Sequence, residues 1–383
     1  MSRATTARDT ERGSFRPTVA EIDLDAIRHN ARAMHPDGTE LMAVVKADGY
    51  GHGAVPSARA AIESGATWLG VALLEEALEL RAQGFTEQPI LVLSEVPRGS
   101  ESVALEAGVT LALYTDAGLE HTAAAAEATG LTPRVHVKVD TGMHRVGRFP
   151  PERVPAFVAT AVGLGFDVDG LWTHFARSED DPEFTTSQLK RFLGVARELE
   201  RGGTRPRYLH AANSGAVIRD PAAHLDLVRV GVALYGLSPG ADLAQRAGLR
   251  PAMRWRSAVS LARRLPAGEA VSYGLTWTLE RDSNVATVPV GYADGYPRGL
   301  SSRADVLIGG RRHRVAGVIS MDQLLVDCGD DPVAEGDEVV LLGRQGDEEV
   351  TAGELAALLG TIEYEIACGV GARVPRVYGG VHA

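Results

Sequence analysis

Short apolar segments alternate with amphipathic segments along the first two-thirds of the chain. Runs rich in Val, Leu, Ile and aromatic residues predict eight strands, at Leu41–Lys46, Trp68–Ala72, Ile90–Ser94, Thr110–Tyr114, Val135–Val139, Gly170–His174, Tyr208–Ala212 and Leu227–Gly231. Between them, Leu73–Gln83 and Thr186–Arg201 repeat apolar residues at helical spacing and are followed by glycine. This alternation predicts an α/β fold with a closed (β/α)8 TIM-type barrel, and an open doubly wound sheet is the alternative.

The pattern changes after about Asp242, where strand-like runs are separated by Gly, Pro and Asp turns. These runs predict a mainly β domain, in which only Ala352–Leu359 has a helical pattern. The predicted β runs are Arg254–Arg264, Val285–Val290, Asp305–Ile308, His313–Ile319, Leu324–Val326 and Glu338–Leu342. The first 17 residues are polar and charged, which predicts a disordered tail and not a secretion signal. The predicted organisation is a tail over residues 1–17, a barrel over 18–245 and a β-rich C-terminal domain over 246–383.

Composition and charge narrow the classes of function. The chain is 45% hydrophobic and 23% charged, as in ordinary globular proteins, and its net charge of -11 argues against a nucleic-acid partner. No apolar run is long enough to span a membrane, so we expect a cytoplasmic protein. Cys328 and Cys368 are far apart and predict free thiols, with neither a disulfide framework nor a metal site.

Lysine is scarce, because only Lys46, Lys138 and Lys190 are lysines among the 39 basic residues. Lys46 and Lys138 lie in apolar, β-branched runs. A desolvated lysine amine can lose its proton and form a Schiff base with a carbonyl, whereas arginine cannot. Either lysine is therefore a candidate nucleophile, and the alternative is a buried lysine paired with a carboxylate.

Chemically useful side chains recur at or just past the ends of the predicted strands. The carboxyl ends of barrel strands meet at one mouth, where active sites form. The residues at these positions are Lys46, Lys138, His174, Ser214 and Arg229.

Three of these segments indicate an anionic ligand. In KADGYGHG, glycines allow a tight turn that would direct the Tyr50 hydroxyl to the mouth. HAANSGA and RVGV place Ser214 and Gly231 directly after the last two strands, where phosphate sites recur in barrels. The sequence contains neither GxxxxGK[ST] nor GxGxxG, so ATP and NAD are disfavoured as the source of the anion.

A guanidinium inside an apolar strand needs an acceptor, so Arg229 pairs either with Asp226 or with a cofactor ring nitrogen.

These motifs resemble those of the bacterial alanine racemase family, from about Pro17 to Tyr378. VVKADGYGHG is the most specific, and VDTGMHRVG, THFA, HAANS, RVGVALYG, VSYG, GYADGYPR, SMDQ and EYEIAC follow in the family's order. The resemblance implies a barrel followed by a β domain, pyridoxal 5′-phosphate (PLP) as cofactor, and homodimers with shared active sites. It also implies interconversion of L- and D-alanine through an external aldimine, which supplies D-alanine for peptidoglycan.

The resemblance assigns roles to individual residues of this chain. Lys46 would form the Schiff base with PLP, and Tyr273 of the partner subunit would be the second base. Arg229 would donate to the pyridine nitrogen, and His174 would link it toward Tyr273. The cofactor phosphate would be surrounded by Tyr50, Ser214, Gly231, Val232 and Tyr364.

Further positions match groups that surround the substrate. Arg145 would bind near the PLP hydroxyl and the substrate carboxylate, which the Met321 backbone N–H of the partner would also hold. Lys138 matches a lysine that some members carry as a carbamate, orienting Arg145. The supporting and entrance positions are Asp322, Tyr292 and Arg298.

Three departures from the family pattern leave the entrance shape and the substrate side chain open. His144 and Ser320 stand where many members have glycine and cysteine, and Glu363 where many have asparagine. The alternatives are a racemase of another small amino acid such as serine, and a PLP-dependent decarboxylase of basic amino acids. A non-catalytic PLP carrier and a Schiff-base aldolase without PLP also remain. The triple-glycine loop and EPGR-type motif of the decarboxylases are missing from the sequence.

Overall fold

The structure is a computed structural model that describes residues 15–379. These residues form two compact units. One unit is Leu24–Arg250, and the other combines the described residues up to Asp23 with those from Pro251 onward. Most of the predicted 1–17 tail therefore lies outside the described residues. Arg16, which the sequence placed in that tail, makes a 2.8 Å ion pair with Asp294.

The unit Leu24–Arg250 is built on an eight-stranded sheet in which every ladder is parallel. The first strand pairs with the second and with the last, so the sheet curls into a nearly closed barrel. Two hydrogen bonds bridge the remaining gap, from Asp226 N to Leu209 O and from Arg229 N to Ala212 O, both 3.1 Å long. The strands are Glu40–Val44, Trp68–Val71, Ile90–Val92, Thr110–Leu113, Arg134–Lys138, Asp167–Trp172, Tyr208–His210 and Leu227–Val230.

Helices follow the barrel strands and bury their apolar faces. Pro182–Arg201 shows this best, because Leu189, Phe192 and Val195 are buried at helical spacing while Lys190 is exposed. No helix within residues 15–379 is long and apolar enough to cross a membrane. The α-helices of this unit are Leu24–Ala33, Ala54–Ile62, Leu74–Ala82, Glu101–Glu106, Asp116–Thr129, Val154–Gly163, Pro182–Arg201, Ser214–Arg219 and Leu243–Arg246, whereas Lys46–Tyr50 is a helical turn with left-handed backbone.

The closed-barrel prediction is confirmed, but several predicted strands end too late. The first ends at Val44 and the sixth at Trp172, so Lys46 and His174 lie two residues past their strands. Val45 and Thr173 are still buried in the barrel, and each donates to a neighbouring strand, Val45 N to Gly70 O at 2.9 Å and Thr173 N to His210 O at 3.2 Å. The buried part of these two segments therefore extends one residue past the assigned strand.

The second unit contains a ten-stranded, mainly antiparallel sheet and a two-stranded hairpin of Ala270–Val271 with Trp277–Thr278. Val19–Asp23 belongs to this sheet, since it pairs antiparallel with Met253–Ala258 and parallel with Arg376–Gly379. The sequence had placed residues 18–23 with the barrel. The strand Val19–Asp23 buries alternate residues, Ala20 and Ile22, as is typical of a sheet with one packed face. Its partner strands are distant in sequence, so a local pattern could not assign it to this sheet.

The other strands of the ten-stranded sheet match most of the predicted β runs. The run predicted as Arg254–Arg264 is two strands in the structure. Beside the predicted helix Ala352–Leu359, a second helix, Glu363–Gly369, carries Tyr364 and was missed because its seven residues mix polar and apolar positions. The remaining strands are Leu261–Leu265, Ser283–Val288, Asp305–Ile308, Arg311–Val315, Leu324–Asp327, Glu338–Gln345 and Glu348–Val350.

Candidate active site

Lys46 opens a left-handed turn at the barrel mouth. The next four residues have positive φ, 52° at Ala47, 50° at Asp48, 61° at Gly49 and 53° at Tyr50. Left-handed backbone costs about 1–2 kcal/mol for each non-glycine residue, so three such residues store several kcal/mol of strain. Strain of this kind persists where the surroundings hold it, and it is concentrated at functional sites.

Hydrogen bonds from backbone N–H groups to two carboxylates hold this turn in place. Glu76 accepts from Ala47 N at 2.6 Å, and its other oxygen accepts from Ala72 N at 2.8 Å in the loop after the next strand. Asp48 accepts from Ala54 N at 2.8 Å and so ties the turn to the following helix. The half-buried Lys46 is thereby fixed at the mouth, with its Nζ 6.0 Å from the centroid of the Tyr50 ring.

The Tyr50 hydroxyl lies against Gly231, the residue that follows the last barrel strand. A Cβ added at Gly231 would lie 2.5 Å from Tyr50 Oη, closer than any normal contact. Tyr50 is buried and its ring lies 5.2 Å from that of Tyr235. Glycine at this position therefore leaves room for the hydroxyl to reach the backbone after strand eight.

Ser214 gathers backbone donors from the same loop. Its Oγ accepts from Gly231 N at 3.1 Å and from Ala233 N at 3.4 Å. Val232 is the first residue of a 3-10 helix, whose first N–H groups have no partner inside the helix. With its Oγ accepting from the backbone, the buried Ser214 hydroxyl can donate its own hydrogen, and together with the Tyr50 hydroxyl and the Val232 N–H it forms a set of donors suited to an anion such as a phosphate.

Arg229 is a buried cation surrounded by neutral acceptors. Its Nη2 donates to Thr173 O at 2.8 Å, to Ala211 O at 2.9 Å and to His174 Nδ1 at 3.3 Å. Its Nη1 donates to His210 Nδ1 at 3.0 Å. Within residues 15–379 its Nε–H has no hydrogen-bond acceptor. Burial lowers the pKa of Arg229 to about 9.

The carboxylate alternative for Arg229 is wrong. Asp226 instead accepts from Leu209 N at 2.8 Å and lies 3.4 Å from Arg205. The buried guanidinium therefore keeps a donor that no described protein group uses. A ring nitrogen with a lone pair would satisfy that donor.

Two histidines that the sequence analysis missed lie behind Arg229. Because arginine can only donate, His210 accepts through Nδ1 and carries its proton on Nε2, which donates to His136 Nδ1 at 2.9 Å. His136 Nε2 then faces Asp169 at 4.0 Å. Burial, followed by the charge of Arg229, holds the His210 pKa well below its usual range. Strand alternation could have found them, since His136 and Lys138 share the inward face.

Lys138 is the last residue of its strand and is only 4% exposed. Its Nζ lies 4.1 Å from the centroid of the Trp172 ring. Burial lowers the pKa of Lys138 to about 7, and the charges of Arg229, Arg145 and Lys46 lower it further than Asp140 raises it. Near neutral pH a large fraction of this amine is therefore uncharged, and a neutral amine is the form that can react with carbon dioxide.

Arg145 is exposed at the mouth, in the loop that follows Lys138. Burial is the main cause of the lowered pKa values of Lys138 and His174, and the positive charge of nearby Arg145 lowers both further. Asp140 fixes this loop by accepting from Gly142 N at 2.9 Å and from His144 Nδ1 at 3.1 Å. His144 has a φ of 54°, a backbone conformation that favours glycine.

The remaining predicted site residues lie in the β-rich unit. Tyr273 begins a 3-10 helix and is 72% exposed, while Met321 is 52% and Tyr292 43% exposed. Asp322 pairs with Arg373 at 2.8 Å, and Tyr364 lies half-buried on the short helix Glu363–Gly369. Arg298 is exposed in another 3-10 turn.

The sequence matches the profile described as "Alanine racemase, N-terminal domain" over residues 22–239 and that of the C-terminal domain over residues 252–378. An alanine racemase from Symbiobacterium thermophilum is 49% identical over 372 residues, which is 96% of this chain and 98% of that protein. The chain belongs to the alanine racemase family. Its activity class is amino-acid racemisation, and the decarboxylase alternative is not retained.

Solved members of the alanine racemase family share the fold of this chain. The alanine racemase of a D-cycloserine-producing Streptomyces lavendulae superposes with a TM-score of 0.91 at 42% identity, covering 96% of this chain and 98% of that one. The Bacillus anthracis alanine racemase, solved with bound L-Ala-P, superposes with a TM-score of 0.90 at 35% identity and covers 96% of each chain.

Proposed function

We propose that this racemase acts on alanine, with PLP at the barrel mouth and with Lys46 and Tyr273 of the partner subunit as its two bases. The observation that carries the proposal is Arg229, a buried cation whose Nε–H has no acceptor among residues 15–379. It lies in the barrel that also presents the strained Lys46 turn and the donor set around Ser214.

The residues of the mouth fit the phosphate of PLP. Ser214 Oγ, the Tyr50 hydroxyl and the backbone at Gly231 and Val232 would hold it, and Tyr364 would complete the set. Gly231 supports this placement because a side chain there would collide with the Tyr50 hydroxyl. All of these residues except Tyr364 belong to the unit Leu24–Arg250.

Arg229 would hold the pyridine nitrogen through its Nε–H. Bound PLP supplies an electron sink that acidifies the Cα–H of the substrate. Even with its pKa lowered to about 9, Arg229 is mostly protonated at neutral pH and acts as a donor. Donation by a guanidinium keeps the ring nitrogen unprotonated, which makes the sink weaker and disfavours side reactions such as transamination.

Lys46 and Tyr273 would move the proton at Cα from opposite faces. The Lys46 amine takes or returns the proton on its side, and the Tyr273 hydroxyl of the partner subunit does so on the other. Neutral His174 would lie between Arg229 and that tyrosine, since its Nδ1 accepts from Arg229 and its Nε2 carries the ring proton. Burial and the nearby cations keep the His174 pKa well below its usual range, which favours this neutral form.

The charge of the mouth favours an amino-acid carboxylate. Three cations, Arg229, Arg145 and Lys46, lower the pKa of Lys138, and one carboxylate, Asp140, raises it. A positive cleft concentrates anionic substrates. Arg145 would bind the carboxylate of alanine together with the Met321 N–H of the partner subunit, and a carbamate on Lys138 would orient Arg145.

A homodimer would bring Tyr273 to the mouth of a second copy. The β-rich unit exposes the large side chains of Tyr273, Leu275 and Met321, at 72%, 64% and 52%. We further propose that the product, D-alanine, serves peptidoglycan synthesis in the cytoplasm.

Chiral analysis of a panel of L-amino acids incubated with the protein tests the substrate. We expect D-alanine to form fastest, and faster formation of D-serine would replace alanine by serine. Borohydride reduction followed by peptide mapping tests the cofactor site. Label on Lys46 is expected, and label on Lys138 or Lys190 would overturn the assignment.

A further inference from the structure

The turn Tyr292–Asp294 contains a carboxylate that is completely buried. The Asp294 side chain is 0% exposed, and its Oδ1 lies 2.8 Å from Arg16 Nη2 and 3.5 Å from Arg373 Nε. Its Oδ2 accepts from Gly291 N at 3.1 Å. A carboxylate removed from water needs charged partners and hydrogen bonds, and Asp294 has two arginines and one amide.

The same turn is fixed to the segment after the helix that carries Tyr364. Gly371 N donates to Asp294 O at 2.9 Å. A Cβ added at Gly295, whose φ is 98°, would lie 1.9 Å from Gly369 O, the last residue of that helix. The two backbones are therefore in direct contact, and movement of Asp294 would displace the end of the helix.

The turn is also fixed to the segment that carries Met321. Tyr292 N donates to Ser320 O at 3.1 Å, and Ala293 N donates to Met321 O at 3.0 Å. A Cβ added at Gly291 would lie 2.3 Å from both of these carbonyl oxygens. Arg373 reaches the same segment, since its Nη2 donates to Asp322 Oδ1 at 2.8 Å.

We propose that Arg16, Asp294 and Arg373 form an ionic latch that positions Tyr292 and Met321 for the substrate and Tyr364 for the cofactor phosphate. Both arginines meet at the buried Asp294 carboxylate. The backbone of the Asp294 turn is bonded to the Met321 segment and to Gly371, just past the helix that carries Tyr364, and Arg373 is also bonded to Asp322. The latch residues act through their neighbours and are positioning residues. This inference rests on the proposed function, because the roles of the three positioned residues are part of it.

The latch should affect substrate binding more than the chemical step. Loss of the Arg16–Asp294 pair frees the Tyr292 turn and, with it, the backbone at Met321 that would hold the substrate carboxylate. Loss of an interaction that binds the substrate and the transition state equally well raises KM and leaves kcat nearly unchanged. We therefore expect KM for alanine to rise by about tenfold in Arg16→Gln and Asp294→Asn, with kcat within about threefold of the wild type.

Steady-state racemisation by holoenzyme variants tests the latch, with cofactor absorbance and melting temperature recorded for each. Arg16→Lys should restore much of the KM, since it keeps a cation beside Asp294. In the double variant Arg16→Gln/Asp294→Asn, KM should rise less than the product of the two single effects, because residues in one ionic network are not independent. Arg264→Gln is the matched control, since it breaks an exposed 2.9 Å pair with Asp330 in the same unit.

Arg373→Gln is the milder variant, because Arg373 is 46% exposed and Asp294 keeps its closer partner, Arg16, at 2.8 Å. It should raise KM in the same direction as Arg16→Gln. A lowered melting temperature with KM unchanged in every latch variant would show a merely structural cluster and overturn the proposal. An equal KM rise in the Arg264→Gln control would overturn it too. Absence of racemisation by the wild type is a different result, which refutes the proposed function.

Discussion

Replacement of Lys138 by methionine should stabilise the protein at neutral pH and lose this advantage as the pH rises. Methionine keeps the length of the side chain and removes the buried charge. The pKa of Lys138 falls from its ordinary 10.5 to about 7 in the folded protein, mainly through burial. At about 1.4 kcal/mol for each pH unit, this gap corresponds to about 5 kcal/mol of folding free energy.

The sign of the pH dependence follows from the lowered pKa. Below about pH 7 both states of the wild type carry the charge at Lys138, so the whole penalty opposes folding. Between about 7 and 10.5 the unfolded chain binds a proton that the folded chain does not, so wild-type stability rises with pH. The methionine variant lacks this contribution, so its advantage should shrink by about 2.3 kcal/mol between about pH 7 and about pH 9, since Lys138 of the folded chain is only half deprotonated at its pKa of about 7.

Urea unfolding at these two pH values, in buffer free of carbon dioxide, measures the difference. Lys190→Met is the matched control, because Lys190 is exposed and the same substitution there should show no comparable pH dependence. An advantage of Lys138→Met that stays constant between the two pH values would refute the reasoning. It would mean that Lys138 is as protonated in the folded chain as in the unfolded chain.

Three other substitutions test groups at the site. Gly231→Ala should weaken PLP affinity by about tenfold, measured by absorbance titration, because the new Cβ would lie 2.5 Å from Tyr50 Oη; unchanged affinity would contradict that contact. Tyr273→Phe should strongly slow exchange of the Cα proton in deuterated solvent from one alanine enantiomer and only partly from the other, whereas equal, mild losses would count against two bases. Arg229→Glu should increase transamination products and change the absorbance spectrum, and an unchanged spectrum and product yield would remove the proposed role of its Nε–H.

The barrel could be predicted from the sequence because each strand is a local apolar run. All eight runs are strands in the structure, and they pair in sequential order apart from the closing of the first onto the last. The strand Val19–Asp23 could not be assigned in this way. Its partners, Met253–Ala258 and Arg376–Gly379, are distant in sequence, and local patterns do not specify such pairing.

The candidate site residues of the barrel stood out where a glycine-rich turn, a lysine in an apolar run or a polar residue at a strand end marked them. The proximity of the Tyr50 hydroxyl to Gly231 was not predicted, because the two residues are distant in sequence. The left-handed backbone at Ala47 and Asp48 was not predictable, because neither residue favours it and Glu76 stabilises it from another loop. Strand alternation places His136 on the inward face with Lys138, but nothing in the sequence pairs it with His210, which lies on another strand.

The strain and the charge at the barrel mouth have one physical consequence. The left-handed turn after Lys46 and the uncompensated cations Lys138 and Arg229 both lower the stability of the protein without ligand. An anionic ligand that accepts from Arg229 and from the donors near Ser214 removes part of this penalty, so binding and stability are linked. Features that make the empty barrel less stable are therefore the same features that make it select a phosphate-bearing cofactor and a carboxylate substrate.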